Sequence, residues 1–524
     1  MKESFNIKLT AIKTKCAEFL NRERSVAYVC LLLSIYTLVA FHYPFFSYVA
    51  ENVSCNFSGF WIVCSLAILM PVLNYLINYL ILYLCRVVGK YIIAFTIVGN
   101  AICLYFINTY NALIDRSMMG NVFNTQFSES SSFFSWTMVV YVLVLGILPS
   151  VLLIRKSIDY DTAKKWLLNL GLSLLLTLVL VASNYKNVFW IDRHAPVIGS
   201  KILPWSYIIN SIRYYTHSKK MNQKEIILPD VQEALDSKDI CVLIIGESAR
   251  SRNFSLYGYK DRETNPLMTA DGVTALKARA SNTNTIDAVK AILQHTQSRE
   301  LYEILPNYLS RNGVDVSWRR SNWGTPPLHI EKQFTKGDLK KLYPEADSNY
   351  DGILFHGLKE EIAASDKDKI FIGIHTYTSH GPEYYSSTPE QFKKFLPESK
   401  AVEMANAKYE ELINAYDNTI VYTDYLVHSV IEMLKEFKDR RSCVIFISDH
   451  GESLGEGGLY MHGVPMSMAP AEQLDIPFIV WTSDNSAVKI KEVELAGHHN
   501  IYHSVLKFLG LKTEFYDETK SIFE

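Results

Sequence analysis

Three short stretches of the sequence place carboxylates and imidazoles just after apolar runs. The first is Gly246-Glu247-Ser248-Ala249-Arg250 and the second is His375-Thr376-Tyr377-Thr378-Ser379-His380-Gly381-Pro382. The third is Ser448-Asp449-His450-Gly451-Glu452-Ser453, with His462-Gly463 soon after. Carboxylate oxygen and imidazole nitrogen together suit a borderline divalent cation such as zinc. Each stretch alone has an ordinary structural reading, because a strand-end Asp commonly caps a helix and a lone His commonly bonds within a core. Their recurrence after three separate strand-like runs favours one shared metal centre. Metal-assisted phosphoryl transfer also needs an attacking group. Ser281-Asn282-Thr283-Asn284-Thr285 sets hydroxyls immediately before a helical pattern, where a helix N-terminus favours an anionic phosphate. A plain N-cap explains the same residues equally well.

Strands must carry these clusters. The runs 240–245, 370–374, 443–447 and 476–481 are short, apolar and β-rich, and helical segments separate them, notably 402–437. Continuous apolar strands alternating with helices predict a mostly parallel sheet covered on both faces. In such a sheet, sites form beyond the carboxyl ends of the strands, where the three clusters fall.

The first part of the chain is different in kind. Five apolar stretches, at about 25–43, 60–84, 91–107, 136–154 and 166–181, predict five membrane-spanning helices. Lys2, Lys8, Lys13, Lys15, Arg22 and Arg24 precede the first, Arg86 and Lys90 separate the second and third, and Arg155, Lys156, Lys164 and Lys165 separate the fourth and fifth. The two remaining loops hold only Arg116. The positive-inside rule then sets the N-terminus in the cytoplasm and everything after the fifth span outside. The expected organisation is a membrane domain at 1–181, a connector with interfacial helices at 182–238 and a catalytic domain outside the cytoplasm at 239–524. The 52 basic and 54 acidic residues nearly cancel, which argues against a nucleic-acid partner. Cys241 and Cys443 lie inside strand-like runs and read as two buried thiols, with a cross-strand disulfide as the alternative.

Taken together, the motifs resemble the phosphoethanolamine transferases of Gram-negative bacteria, which include enzymes of polymyxin resistance. The resemblance rests on Gly246 to Arg250 with Tyr257-Gly258-Tyr259, on Ser379-His380-Gly381-Pro382, and on Ser448 through Glu456. The run from His462 through Ala469-Pro470-Ala471-Glu472-Gln473 to Ile476-Pro477 adds to it. It implies an inner-membrane protein whose soluble domain is α/β and alkaline-phosphatase-like (sulfatase-like). It further implies transfer of phosphoethanolamine from phosphatidylethanolamine to lipid A or lipopolysaccharide. By position, Glu247, Asp449 and His450 correspond to zinc ligands, and Thr285 to the threonine that completes the shell and carries the phosphoethanolamine. His380 and His462 correspond to contacts with the phosphate or with a second zinc. Asn121, Thr125 and Glu129 correspond to lipid-donor contacts, and their i, i+4, i+8 spacing puts them on one helical face. Relatives place the nucleophile in a cysteine-flanked stretch, whereas no cysteine is near Thr285, and their substrate-contacting lysine has no clear counterpart after Trp318-Arg319-Arg320-Ser321-Asn322. A glycerol-phosphate transferase of the lipoteichoic-acid type and a non-catalytic membrane sensor are the competing readings.

Overall fold

A computed structural model describes residues 22–124, 131, 133–221, 225–298, 300–483, 486 and 488–524. The chain divides into two compact units, one formed by Met1–Asn121 with Phe134–Tyr214 and the other by Val122–Phe133 with Tyr215–Glu524.

The first unit is helical. Its elements are α1 (Val26–Phe41), α2 (Tyr43–Asn52), α3 (Phe57–Tyr110), α4 (Arg116–Asn124), α5 (Trp136–Arg155), α6 (Ala163–Ser183) and α7 (Val188–Lys201), with α8 (Trp205–Met221) beginning in it. Three of these, α3, α5 and α6, are continuous helices long and apolar enough to cross a membrane, and α1 with α2 makes a fourth if that pair, bent by 64°, is one span. Five were expected, and the difference lies in α3. At 54 residues it would run about 80 Å if straight, far beyond a hydrocarbon core of about 30 Å. Arg86 interrupts it with φ 50° and ψ −119°. A Cβ on Gly89 would fall 2.8 Å from the carbonyl oxygen of Ile81, although residues eight apart in a straight helix lie about 12 Å apart. The chain therefore turns back at Arg86, between the second and third expected spans.

The basic loops of this unit meet at one end. Lys90 Nζ donates to the carbonyl of Lys156 at 2.6 Å, Lys156 Nζ donates to the carbonyl of Arg22 at 2.6 Å, and Arg24 pairs with Ile158 in a two-residue parallel bridge. Asn121 lies on α4, whose first turn is capped by Asp115 Oδ1 accepting from Met118 N at 2.8 Å. Thr125 and Glu129 lie outside the described residues.

The second unit is built on an eight-stranded sheet. In chain order its strands are β1 (Asp239–Gly246), β2 (Thr274–Arg279), β3 (Asp315–Arg320), β4 (Lys332–Thr335), β5 (Lys369–His375), β6 (Arg441–Ser448), β7 (Asp475–Thr482) and β8 (Ala496–Gly497). Their spatial order is β8-β2-β7-β6-β1-β5-β3-β4. β1 lies in the middle, parallel to β6 and β5, and β7 pairs antiparallel with both β6 and β2. The mostly parallel sheet is thus present, and its fourth apolar run, β7, is the strand that runs against the others.

Every residue of β1 is buried. Cys241, Leu243 and Ile245 join one core with residues of α9 (Thr285–Leu293), α10 (Leu305–Arg311) and α12 (Ile501–Phe508). Val242 and Ile244 alternate to the opposite face. On β6, α11 (Tyr409–Leu434) packs. Covering both faces explains why these strands read as unbroken apolar runs. Cys241 and Cys443 sit in register across β1 and β6, both fully buried and both free thiols.

Candidate active site

Glu247 is the first residue beyond β1, and Asp449 and His450 are the first beyond β6, so the register Gly246↔Ser448 brings them side by side. The backbone after Glu247 is held open in an unusual form: Ser248 has φ 54°, rare for a non-glycine residue. It is kept there by Asp449 Oδ1, which accepts from Ser248 N at 3.0 Å, and by Tyr416, whose hydroxyl donates to Ser248 O at 2.7 Å. The remaining motif residues are braces. Arg250, buried, donates to Glu456 at 2.7 Å and to the carbonyl of Glu452 at 3.0 Å. The hydroxyl of Tyr257 bridges to Leu276 O and Phe478 O at 3.0 Å each, tying this loop to β2 and β7.

Thr285 enters from α9. Asn284 is the N-cap of that helix, its Oδ1 accepting from Asp287 N at 3.1 Å, so Thr285 is free of capping duty. Its Oγ1 lies 3.3 Å from Glu247 Oε2 and 3.4 Å from His450 Nε2, and the side chain is buried. Thr283, the rival hydroxyl, donates instead to the carbonyl of Val464 at 2.7 Å. Gly324, with φ 96°, lies against Thr285, and a Cβ there would come within 3.3 Å of Thr285 Cγ2.

His450 Nε2 lies 3.4 Å from Glu247 Oε1 and 3.3 Å from Asp449 Oδ2. Glu247 is shared by two clusters of closely converging ligand atoms, one with His450 and His462 and the other with His375 and Asp449. His462 Nδ1 meets Glu452 Oε2 at 2.9 Å, and the hydroxyl of Tyr384 donates to Glu452 Oε1 at 3.0 Å. The rings of His380 and His462 stand edge to face at 5.3 Å, and Tyr377 stacks on His380 at 4.6 Å. Thus Glu247, Thr285, Asp449, His450, His462 and His380 converge. Asn121 belongs to the helical unit.

This donor set fits a divalent cation. Glu247 and Asp449 are both fully buried, their only ion-pair partner among the described residues is His450, and Asp449 Oδ2 has no hydrogen-bond donor. Burial, aided by the Asp449 charge, pushes the Glu247 carboxyl up to about 8, and burial pushes Asp449 up to about 6. Burial also lowers His450 to about 4, leaving its Nε2 a neutral donor. Two buried carboxylates with neutral imidazole nitrogens beside them form a donor set that a divalent cation would satisfy.

Four residues of the cluster were given no role from the sequence. Glu452 was discernible, two positions after His450 in the same loop. Ser248 donates to Glu247 Oε1 at 2.9 Å, but only its backbone conformation marks it. His375 follows its strand as expected, yet nothing in the sequence says that its ring turns to Glu247 and Asp449. Asn322, whose amide donates to Glu247 Oε2, follows β3, which reads Asp-Val-Ser-Trp-Arg-Arg and lacks the apolar run that reveals a strand. A cleft of about 670 Å³ opens beside the cluster, lined among others by Arg320, Asn322, Trp323, Lys336, Tyr377 and His380.

A mostly parallel sheet with a carboxylate–imidazole centre and a buried hydroxyl at its carboxyl edge defines an alkaline-phosphatase-like domain, and residues 240–511 match the sulfatase family. Residues 72–219 match the family described as phosphoethanolamine transferase EptA/EptB. The chain is 33% identical to phosphoethanolamine transferase EptA of Helicobacter pylori over 493 residues, covering 92% of this chain and 93% of that protein. It belongs to the phosphoethanolamine transferase family. Phosphatidylethanolamine transferase Mcr-1 of Escherichia coli is 28% identical, over 77% of this chain and 80% of its own length. Among solved structures, the integral membrane lipooligosaccharide phosphoethanolamine transferase A of Neisseria meningitidis superposes with a TM-score of 0.85 at 26% identity, covering 96% of this chain and 99% of that one. The periplasmic domain of EptC from Campylobacter jejuni superposes with a TM-score of 0.51 at 32% identity, over 57% of this chain and 97% of that one.

Proposed function

We propose that the chain moves phosphoethanolamine from phosphatidylethanolamine to lipid A or lipopolysaccharide core through a covalent ester on Thr285. The observation that carries this reading is the buried Thr285 hydroxyl, relieved of capping by Asn284 and directed at Glu247 and His450. Relatives named as EptA, and others named as Kdo(2)-lipid A phosphoethanolamine 7''-transferases, support the choice of acceptor.

In the first step Thr285 Oγ1 attacks the donor's phosphorus. The new Thr285 O–P bond replaces the P–O bond to diacylglycerol, and the hydroxyl proton passes toward Glu247 Oε2. Diacylglycerol leaves with a proton, supplied from the side of His380, stacked on Tyr377, and of Glu452, which holds His462. In the second step a hydroxyl or phosphate oxygen of the acceptor displaces Thr285, which regains its proton. Glu247, Asp449, His450 and Thr285 would hold one zinc ion, and Glu247, His450 and His462 form an alternative grouping. Bound there, zinc supplies charge stabilisation to the phosphoryl group and lowers the pKa of the attacking hydroxyl.

The lipid donor accounts for the membrane anchor. Counting the halves of α3 on either side of Arg86 separately restores five spans, and the clustered basic ends near Arg24, Lys90 and Lys156 would be cytoplasmic. This orientation leaves the catalytic domain at 239–524 in the periplasm, with Asn121, Thr125 and Glu129 available to the donor headgroup. Added ethanolamine would mask negative charge on the outer surface and weaken the binding of cationic peptides. The test is transfer from phosphatidylethanolamine labelled in its ethanolamine. The reading expects label on lipid A and release of diacylglycerol; glycerol phosphate on the acceptor would replace it with the lipoteichoic-acid-type reaction.

A further inference from the structure

Arg319 and Arg320 end β3 side by side, and the alternation of a strand sends them to opposite faces. Arg319 is fully engaged: buried, it donates to the carbonyls of Leu354 and His356 and pairs with Glu361. Arg320 is the reverse. Its guanidinium has no carboxylate, carbonyl or aromatic partner among the described residues, and it lines the cleft beside the catalytic cluster. In that cleft the other cation, Lys336, is already neutralised by Asp351 at 2.9 Å, and Asp351 is itself fixed by Thr378 Oγ1 at 2.7 Å. The uncommitted positive charge of the cleft is therefore that of Arg320.

Its position is close to the chemistry. Arg320 pairs in register with His375 of β5, and Asn322, two residues on, donates to Glu247 and lines the same cleft. Arginine presents a planar fork of donors that matches phosphate oxygens two at a time, and a half-buried guanidinium with no internal partner is poised for such a ligand. Glu383 lies elsewhere on the cleft wall and, when ionised, would repel an anion from its own side.

On the function proposed above, we infer that Arg320 is the phosphate-recognising residue of the acceptor subsite, so that this chain selects acceptors already carrying a phosphate monoester near the hydroxyl or phosphate oxygen that attacks. The same chemistry is present in the donor's phosphoryl group, and the two half-reactions separate the sources.

The experiment uses the full-length chain in detergent with zinc. It follows two rates: appearance of the phosphoethanolamine adduct from phosphatidylethanolamine, and loss of that adduct to lipid A bearing its phosphates or to enzymatically dephosphorylated lipid A. Arg320→Gln is expected to leave adduct formation unchanged and to raise the KM for phosphorylated lipid A by about tenfold to a hundredfold. It is also expected to remove the wild-type preference for the phosphorylated over the dephosphorylated acceptor. Arg320→Lys is expected to restore part of that preference. Slowed adduct formation in Arg320→Gln would assign the residue to the donor phosphate and overturn the inference. Unchanged rates in both steps would overturn it as well. Failure of the wild-type chain to form any adduct would instead count against the covalent mechanism, which keeps the two readings distinguishable.

Discussion

Thr285 Oγ1 lies 3.3 Å from Glu247 Oε2, although 38 residues separate them in the chain. The contact joins the start of a helix to the end of the central strand, and it separates the polar side chains of 283–285 by what each already does. Thr283 is spent on the Val464 carbonyl, Asn284 caps the helix, and Thr285 faces the carboxylate. Thr285→Ala is expected to abolish transfer with little change in melting temperature. Thr283→Ala removes one buried hydrogen bond, costing about 1 kcal/mol, and should keep most of the activity. Asn284→Ala costs about 1 kcal/mol through loss of the cap, and it should slow transfer by loosening the turn that aims Thr285. Activity retained in Thr285→Ala but lost in Thr283→Ala would reverse the assignment.

The carboxylates make stability depend on both pH and metal. In the metal-free chain Glu247 titrates at about 8 and Glu452 at about 7, both raised from 4.5, first by burial. A carboxyl raised on folding keeps a proton that the unfolded chain has lost, so stability falls as pH rises through the interval between the two values. His450, lowered from 6.5 to about 4 by burial, acts in the opposite sense, but only below its ordinary value. Chelator-treated protein should therefore melt lower at about pH 8 than at about pH 7, and zinc should remove that difference by taking the place of the protons. A melting temperature flat across this interval without metal would contradict the reading of a carboxylate centre short of positive charge.

Gly451 is fixed by space. A Cβ there would fall 2.1 Å from the backbone oxygen of Glu472, which cannot swing aside as a side chain can. The adjoining Glu452 N donates to that same oxygen at 2.8 Å. Gly451→Ala is expected to destabilise the chain by about 1–3 kcal/mol and to weaken zinc binding by displacing His450. Chemical denaturation and metal titration of the same variant would check both. Unchanged zinc affinity would mean that the loop absorbs the clash away from His450.

The sequence disclosed most of what the site needs, for a physical reason. Strands buried on both faces are apolar throughout, so β1, β5, β6 and β7 stand out, and the polar residues after them stand out by contrast. β3 does not, because its edge-ward position admits Asp315, Arg319 and Arg320, and with it Asn322 and the cleft went unread. Strand direction was also hidden: β7 is as apolar as its parallel neighbours, and composition does not distinguish a hairpin-like return from a crossover. In the helical unit the apolar stretches were legible, and Arg86 with Lys90 marked the break between the second and third, where the chain turns back. The hydroxyls before α9 remained equivalent until the cap was seen to be Asn284.

The most direct test of the central claim is the intact mass of the zinc-loaded, full-length chain after incubation with phosphatidylethanolamine, followed by peptide mapping. A phosphoethanolamine adduct on Thr285, absent from Thr285→Ala and discharged by lipid A, is the expected result. An adduct on another residue, or transfer to lipid A at full rate with no adduct at any time, would contradict it.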